Sequence, residues 1–282
     1  MHALKLGLIG IGIGRSRAPE LHRLAGELGG VRLTYDLIQP TSADPDAFDA
    51  TLEACRAQDY RGLNVTYPFK ERAAQAVQVA ADQVRRLGAV NTVRLDLQAG
   101  PRGFNTDYSG FRRAFEGRFP GRNPGAVAIV GAGGVGRAIA FALVDLRAAE
   151  IRLFDRNDAQ ARGLAAVLQN GTGTRVVVCA TLEEATAGAD GLVNATPQGM
   201  YQYPETAIPQ AFIKGQAWAF DAVYTPAQTQ LLTDAIAAKL EILYGHELFF
   251  YQGVDAFEIF TGLRVDETGL RKALALPDAA VP

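Results

Sequence analysis

A lysine and an aspartate in the first half of the chain are the first candidates for charged groups in a ligand cleft. Lys70 follows Asn64 and Thr66, which end a strand-like run that begins at Tyr60. A lysine that opens a helix faces the positive end of the helix dipole, where a cation is normally avoided. Because ligands of parallel sheets bind at the carboxyl ends of strands, Lys70 is either a ligand-site residue or a solvated surface lysine, and the spacing leaves both open.

Asp107 stands just before a predicted helix over residues 109–115. An aspartate at that place is commonly an N-cap, because its carboxylate accepts a hydrogen bond from a free helix N–H. It can equally supply a carboxylate to a ligand cleft. The spacing alone leaves both roles open.

A glycine-rich turn lies between two short apolar runs in the middle of the chain. The segment from Ala126 to Asp155 predicts strand, turn, helix and strand. The first glycine permits a tight turn, the second lets backbone N–H groups approach a pyrophosphate, and the third lets the helix pack close to the strand. The diphosphate would lie at the positive end of that helix. We therefore predict a dinucleotide site, in preference to a structural turn, formed by Gly131, Ala132, Gly133, Gly134, Val135 and Gly136.

Asp155 indicates which dinucleotide is bound. It follows Gly136 by 19 residues, at the end of the second strand. A carboxylate there accepts hydrogen bonds from the ribose hydroxyls of NAD and repels the 2′-phosphate of NADP, so NAD is favoured. The neighbouring Arg156 could stack on adenine or pair with a 2′-phosphate, or be a solvated loop cation.

The elements that must position these residues alternate between strand and helix. This alternation predicts an α/β fold with parallel sheets, whose ligands bind at the carboxyl ends of strands. Residues 95–100 are predicted as a turn, and residues 103–107 stand just before a predicted helix. From Ala126 onward the strands and helices predict a complete doubly wound Rossmann domain, and after Gly245 the chain is predicted helical and packed back on the N-terminal domain. The predicted domains are a substrate-binding domain over 1–108 completed by 247–282, and an NAD-binding domain over 109–246.

Three other features were weighed for ligand binding. Ser16 is a helix cap or a ligand-binding hydroxyl, and the spacing favours the cap. Gln252 lies in a broadly apolar helix, so its amide either bridges backbone groups or faces a polar ligand. The run Gly10, Gly12 and Gly14 is rejected as a second cofactor site, because Arg15 stands where the third glycine of the fingerprint would be.

Composition excludes several classes of function. The chain has 282 residues, 48% of them apolar, and a formal net charge of −2 with scattered cations, which does not predict nucleic-acid or membrane binding. No apolar run approaches the ~20 residues of a membrane span. Cys55 and Cys179 have no metal-ligand or redox spacing, so no metal is predicted and a reduced, cytoplasmic compartment is expected. The partner expected is a small molecule, and a monomer or homodimer is expected.

The collected motifs resemble the shikimate dehydrogenase family over nearly the whole chain. Seven motifs occur in the order of that family. They are Ser16-Arg17-Ala18-Pro19 with His22; Asn64-Val65-Thr66 with Pro68 and Lys70; Gly88-Ala89-Val90-Asn91-Thr92; Asn105-Thr106-Asp107; Asn194-Ala195-Thr196-Pro197 with Gly199-Met200; Asp221 with Val223-Tyr224 and Pro226; and Gln252 with Ala256-Phe257.

The resemblance implies reversible oxidation of a ring secondary alcohol with a nicotinamide cofactor. By position, it implies that Lys70 and Asp107 are the catalytic pair. The implied ligands of the hydroxyls and carboxylate of a shikimate- or quinate-like ring are Ser16, Asn64, Thr66, Asn91, Asp107, Tyr224 and Gln252. The resemblance also implies that four residues lie along the cofactor or in the cleft between the domains: Asn194, Thr196, Met200 and Gly245.

Three departures from the family pattern bear on specificity. Ala18 replaces a hydroxyl residue, which removes a hydrogen bond to the substrate carboxylate worth ~1.5–3 kcal/mol; Arg15 or Arg17 is a candidate replacement. Glu247-Leu248 replaces a Gly-Met pair, and Asp155-Arg156-Asn157 replaces the Asn-Arg-Thr/Ser pattern associated with NADP. We therefore predict an NAD-using quinate/shikimate-type dehydrogenase. The alternatives are a paralogue acting on an amino or otherwise altered analogue, and a non-catalytic NAD-binding regulator.

Overall fold

A computed structural model describes residues 3–96, 99–169 and 173–276. These residues form two compact units. The first unit ends at Thr106 and resumes at Phe250, and the second runs from Asp107 to Phe249. No helix in the described ranges is long and apolar enough to span a membrane.

Strands and helices alternate along most of the chain. The strands are β1 (Leu4–Ile9), β2 (Leu33–Ile38), β3 (Tyr60–Val65), β4 (Gln78–Val79), β5 (Thr92–Asp96), β6 (Gly100–Phe104), β7 (Ala126–Val130), β8 (Glu150–Phe154), β9 (Arg175–Val178), β10 (Gly191–Asn194), β11 (Trp218–Asp221) and β12 (Glu241–Leu243). The helices are α1 (Ala18–Leu28), α2 (Pro45–Ala57), α3 (Lys70–Ala76), α4 (Asp82–Leu87), α5 (Thr106–Arg118), α6 (Gly134–Asp145), α7 (Asp158–Gln169), α8 (Leu182–Thr186), α9 (Gln230–Ala237), α10 (Gly245–Thr261) and α11 (Glu267–Ala273). A short 3₁₀ turn covers Gln210–Phe212.

The sheet of the first unit is mixed rather than parallel. Its order is β2-β1-β3-β5-β6-β4, and β1, β2 and β3 are parallel. The expectation of a parallel sheet is wrong for β5, which pairs antiparallel with both β3 and β6. Three residues separate β5 from β6, too few for the crossover that a parallel pair requires. The predicted turn over residues 95–100 is wrong at both ends, because β5 extends to Asp96 and β6 begins at Gly100 despite its glycines and proline.

The C-terminal helices pack on the first sheet, as expected. Phe260 on α10 is buried in a cluster with Leu6 of β1. A Cβ on Gly62 would lie 2.1 Å from the Phe260 ring, so only glycine lets helix and strand approach this closely. The N-terminal core is therefore completed by residues from the far end of the chain.

The sheet of the second unit is parallel throughout and has the order β12-β11-β10-β7-β8-β9. The strand order reverses direction between β7 and β10, which is the switch point of a doubly wound sheet. The prediction of a Rossmann domain is confirmed. Ligands of such a sheet bind at the carboxyl ends of the strands beside the switch point.

Candidate active site

The antiparallel pairing of β5 brings separate motifs to one edge of the first sheet. Asn64, near the end of β3, pairs with Thr92 at the start of β5, and Thr92 pairs with Phe104 at the end of β6. Asn91, which precedes β5, therefore lies at the same edge as Thr66, which follows β3. In a parallel sheet the start of a strand would lie at the opposite edge.

The amides at this edge are buried and hydrogen-bonded to one another. Asn64 Nδ2 donates to Thr92 Oγ1 at 3.1 Å and to the Asn91 carbonyl at 3.4 Å. Asn91 Oδ1 accepts from the backbone N–H of Thr106 at 2.7 Å, and Asn91 Nδ2 donates to Thr106 Oγ1 at 3.1 Å. Because each amide is held by several bonds, its orientation is set before any ligand arrives.

His22, on α1, helps to hold the side chain of Asn64 in place. Its ring stacks on Tyr35 with centroids 4.6 Å apart, and the Tyr35 hydroxyl donates to Asn64 Oδ1 at 2.8 Å. His22 also hydrogen-bonds to the Asn64 side chain, and burial lowers the pKa of His22 to about 3, so the imidazole is neutral. The place of His22 on the apolar face of α1 is the sequence signal for this supporting role.

Lys70 and Thr66 are both half-buried near this edge, and Lys70 is the first residue of α3. The backbone N–H of Val90 donates to the Lys70 carbonyl at 2.8 Å, which links the start of α3 to the segment carrying Asn91. Gln252, on α10, is half-buried in the same unit. The structure therefore places Lys70, Thr66, Asn64 and Asn91 in one unit and at neighbouring strand and helix ends.

The cap interpretation of Ser16 is wrong by one residue, because the N-cap of α1 is Arg17, and the side chain of that N-cap makes no capping hydrogen bond. The Oγ of Ser16 accepts from the Ala18 N–H at 3.2 Å. The Ser16 hydroxyl proton is not used in that bond. Arg17 donates to Glu20 at 2.9 Å and to the Leu274 carbonyl at 3.0 Å, so it is already engaged on two sides.

Asp107 and Tyr224 belong to the second unit. The N-cap interpretation of Asp107 is wrong, because α5 begins one residue earlier, at Thr106, and Asp107 lies in its first turn. Its side chain is buried, with 6% exposure. The positive end of α5 favours a negative charge there. Tyr224 stacks on Phe249 with ring centroids 4.8 Å apart.

The glycine loop (residues 131–136) has the geometry of a diphosphate site. Gly131 has φ +101°, which a side chain rarely adopts. A Cβ on Gly136 would lie 2.0 Å from the Gly131 carbonyl oxygen, whereas one on Gly133 would meet nothing within 4 Å. The N-cap of α6, Gly133, has no side-chain cap, so the first N–H groups of that helix remain available to an anion. These residues fit the diphosphate of a dinucleotide.

Asp155 connects the end of β8 to the glycine loop. Its Oδ2 accepts from the Ala132 N–H at 2.7 Å and its Oδ1 from the Asn157 N–H at 2.8 Å. The side chain is half-buried and Arg156 is exposed. Each carboxylate oxygen retains a lone pair for a further donor.

A second hydrogen-bonded cluster lies at the ends of β10 and β11. Asn194, which is fully buried, uses its amide within the protein: Nδ2 donates to Asp221 Oδ1 at 2.8 Å and to the Gln198 carbonyl at 2.9 Å. Its Oδ1 accepts from the backbone N–H and the hydroxyl of Thr196, at 2.9 and 2.7 Å. Asn194 thus shapes the following loop, which holds Thr196 and Met200.

Gly245, the first residue of α10, packs against the end of β11. A Cβ there would lie 2.5 Å from the Asp221 carbonyl oxygen, so only glycine permits the close approach. Two residues further, Glu247 is buried and pairs with His246 at 3.3 Å. In the sequence Asp221 is marked only by its place in a family motif, which predicts no role for its carboxylate.

Comparison with known proteins gives one consistent result. A family model described as the shikimate dehydrogenase substrate-binding domain matches residues 8–93. The quinate/shikimate dehydrogenase (NAD(+)) of Corynebacterium glutamicum is 38% identical, with 96% of this chain and 97% of the relative covered. The shikimate dehydrogenase (NADP(+)) of Natronomonas pharaonis is also 38% identical, with 95% and 97% covered.

The solved structures that this chain resembles are also quinate and shikimate dehydrogenases. Quinate dehydrogenase from Corynebacterium glutamicum in complex with NAD superposes with a TM-score of 0.87 at 37% identity, covering 97% of this chain and 99% of that one. Shikimate 5-dehydrogenase from Thermus thermophilus in complex with NADP(H) and shikimate has a TM-score of 0.82 at 32% identity, covering 96% and 98%.

Proposed function

The chain belongs to the shikimate dehydrogenase family, and on that premise we propose that it interconverts a ring secondary alcohol and a ketone of a shikimate- or quinate-like cyclic hydroxy acid, using NAD. The family and the dehydrogenase activity agree with the relatives and structures that the chain matches, and NAD is the cofactor of the matched quinate/shikimate dehydrogenase and quinate dehydrogenase of Corynebacterium glutamicum, whereas other relatives use NADP. The observation that carries the assignment is the edge of the first sheet, where Asn64, Asn91 and Thr66 lie near the start of α3 at Lys70.

The proposed chemistry is one hydride and one proton removed from the same alcohol. NAD, when bound, accepts the hydride that leaves the carbinol carbon. The protein must take the hydroxyl proton, because otherwise a protonated carbonyl would accumulate. We assign that proton to the amine of Lys70, and we assign Asp107 to orienting Lys70 and binding the same hydroxyl.

The remaining site residues have binding roles in this proposal. The hydroxyl of Ser16 has a proton free to donate to a substrate carboxylate. We propose that the buried amide of Asn91 and the side chains of Thr66, Tyr224 and Gln252 contact the other polar groups of the ring. Asn64 is held by four bonds or more within the protein, so its contribution is mainly to fix this edge.

NAD is selected by the second unit. The carboxylate of Asp155 has lone pairs available for the adenosine ribose hydroxyls and repels a 2′-phosphate. We propose that the six residues of the glycine loop bind the diphosphate, and that Thr196, Met200 and Gly245 lie along the nicotinamide side.

The experiment that tests the function is a substrate panel. Shikimate, quinate and their amino analogues are each supplied with NAD and with NADP, and cofactor reduction is followed by absorbance. We expect reduction of NAD with shikimate or quinate. A faster reaction with an amino analogue would instead favour the paralogue that Ala18 suggests, and unchanged absorbance across the whole panel would contradict the proposed activity.

A further inference from the structure

Asp221 is a buried carboxylate that the proposed chemistry does not use. It has no exposed surface and lies at the carboxyl end of β11. Its oxygens accept from Asn194 Nδ2 at 2.8 Å, from the Val223 N–H at 3.0 Å and from Thr229 Oγ1 at 2.6 Å. Burial raises the pKa of Asp221 to about 6 although all three donors lower it. A group buried at that cost needs an explanation in the structure around it.

The carboxylate joins three segments of the second unit. Asn194 ends β10, Val223 follows β11, and Thr229 is the N-cap of α9, where its hydroxyl also accepts from the Leu232 N–H at 3.3 Å. Removing the carboxylate would therefore loosen all three segments where they meet.

Through Asn194 the connection reaches the loop that follows β10. The Asn194 amide binds Thr196 and the Gln198 carbonyl, and the Gln198 N–H donates to Thr196 Oγ1 at 3.2 Å. Gly199 has φ +104°, and a Cβ there would lie 3.2 Å from Thr229 Cγ2. The loop over residues 195–199 is thus held at its start by Asn194 and at its end against Thr229, and both of these residues bind Asp221.

The position of this loop identifies the part of the cofactor that it faces. The glycine loop follows β7, and Asp155 follows β8, so the diphosphate and the adenosine ribose occupy that side of the switch point. The other half of a dinucleotide must extend across the switch point, over β10 and β11. The 195–199 loop touches the boundary between the halves, since a Cβ on Gly131 would lie 2.8 Å from Thr196 Cγ2.

We propose that Asp221 is a positioning residue for the nicotinamide half of NAD, which it sets by holding the 195–199 loop through Asn194 and Thr229. This inference rests on the proposed function, because it requires NAD to bind the second unit. It assigns Asp221 no contact with the cofactor.

The test compares NAD with ADP-ribose, which has the adenosine and diphosphate but lacks the nicotinamide. Dissociation constants of both are measured by calorimetry for the wild type and for Asp221→Asn. We expect NAD to bind about tenfold more weakly to the variant, the loss of roughly one charge-assisted hydrogen bond, while ADP-ribose affinity changes by less than about twofold. If Asp221 only stabilised the second unit, its substitution would change the dissociation constants of NAD and ADP-ribose by the same factor.

Asp190→Asn is the matched control. Asp190 also accepts a backbone N–H, that of Ala126 at 2.7 Å, but it precedes β10, at the amino end of the same sheet. Its substitution should leave both affinities unchanged.

A second pair of variants keeps the test decisive if Asp221→Asn does not fold. Thr229→Val removes the hydroxyl that donates to Asp221 and should weaken NAD relative to ADP-ribose, whereas Thr229→Ser keeps the hydroxyl and should restore the wild-type ratio. Equal losses for NAD and ADP-ribose, or no loss for either, would overturn the proposal. A wild-type chain that binds neither NAD nor NADP would overturn the proposed function as well.

Discussion

At the scale of single residues, Asp155 serves the fold and the proposed choice of cofactor with the same carboxylate. It accepts two backbone N–H groups, one of them in the glycine loop, and these bonds fix its orientation. An orientation fixed in advance reduces the entropy lost when a ribose binds. The same negative charge opposes a 2′-phosphate at that place.

Asp155→Asn should therefore shift the cofactor preference. The substitution removes the charge and keeps one acceptor oxygen, so we expect the ratio of kcat/KM for NAD to that for NADP to fall by about tenfold or more, the value of roughly one interaction with a charged group. Initial rates with both cofactors give this ratio. Asp158→Asn, three residues further and paired with Arg162, is the control and should leave it unchanged. A wild type that uses NADP as well as NAD would contradict the role given to Asp155.

Lys70→Ala tests the acid–base assignment. Loss of a general base typically lowers turnover by about 10²–10⁴-fold, so we expect kcat to fall far more than KM rises. Steady-state kinetics with the preferred substrate of the panel measure both. Lys272→Ala, which removes an exposed ammonium in the last turn of α11, should behave as the wild type. Near-normal turnover of Lys70→Ala would refute the assignment.

At the scale of elements, the β5–β6 hairpin and α1 together build the polar edge of the first sheet. The hairpin reverses the chain so that Asn91 and Thr106 meet Asn64. Helix α1 contributes His22 to this edge. The His22 ring stacks on Tyr35 and lies near Phe257 and Phe260 of α10. The edge is thus supported by an imidazole that must stay neutral.

This burial predicts a particular loss of stability in acid. The pKa of His22 is about 3 in the folded chain against 6.5 when exposed, so the unfolded chain binds the proton first as the pH falls. The stabilisation by neutral His22 is then complete above about pH 6.5 and is lost as the pH falls towards 3, with a slope of at most ~1.4 kcal/mol per pH unit.

His22→Gln removes the titrating group and should flatten this slope. Urea titrations followed by circular dichroism give the free energy of unfolding of the wild type and of the variant. They are made at several pH values between roughly 4 and 7, the range in which the effect is expected, and the two slopes are compared. Tyr35→Phe removes the neighbouring hydroxyl bond to Asn64 but keeps the imidazole. It should lower stability about equally at every pH and retain the wild-type slope. Parallel profiles for His22→Gln and the wild type would show that His22 does not control acid stability.

At the scale of the whole molecule, the proposed dinucleotide site lies in the second unit, and most of the proposed ring ligands lie in the first, with Asp107 and Tyr224 in the second as the exceptions. The glycine loop, Asp155 and Asp221 all belong to the second unit, and Asn64, Asn91 and Lys70 belong to the first. Each ligand should therefore stabilise its own set of elements before the other ligand is present.

Hydrogen exchange measured with one ligand at a time checks this division. NAD alone should slow exchange in 126–136 and 191–200, and the ring acid alone should slow it in 60–70 and 89–106. Protection reaches about 2.7 kcal/mol at a ligand concentration near 100 times the dissociation constant. ADP-ribose provides the comparison for NAD, since it should protect the glycine loop and leave 195–199 less protected. A ring acid that slowed exchange in the glycine loop as strongly as NAD does would contradict the division.

The sequence by itself determined the α/β class, the presence of a doubly wound Rossmann domain, the family and the preference for NAD. These follow from local chemistry: a glycine loop between two strands, one carboxylate at the end of β8, and motifs in a set order. They need no knowledge of distant contacts, because the glycine loop and Asp155 lie within about thirty positions of one another and each family motif is a short stretch of sequence.

The tertiary structure alone decided which polar groups meet. The antiparallel direction of β5, the burial of His22 and the convergence of Asn194, Val223 and Thr229 on Asp221 depend on strand pairing and on contacts across long stretches of chain. Strand β6 could not be predicted from the sequence, because its proline and glycines have a low propensity for strands. Pairing with β5 overrides that propensity. A buried aspartate has the same sequence signature as a solvated one, so its neighbours across the fold, and not its own position, give Asp221 its role.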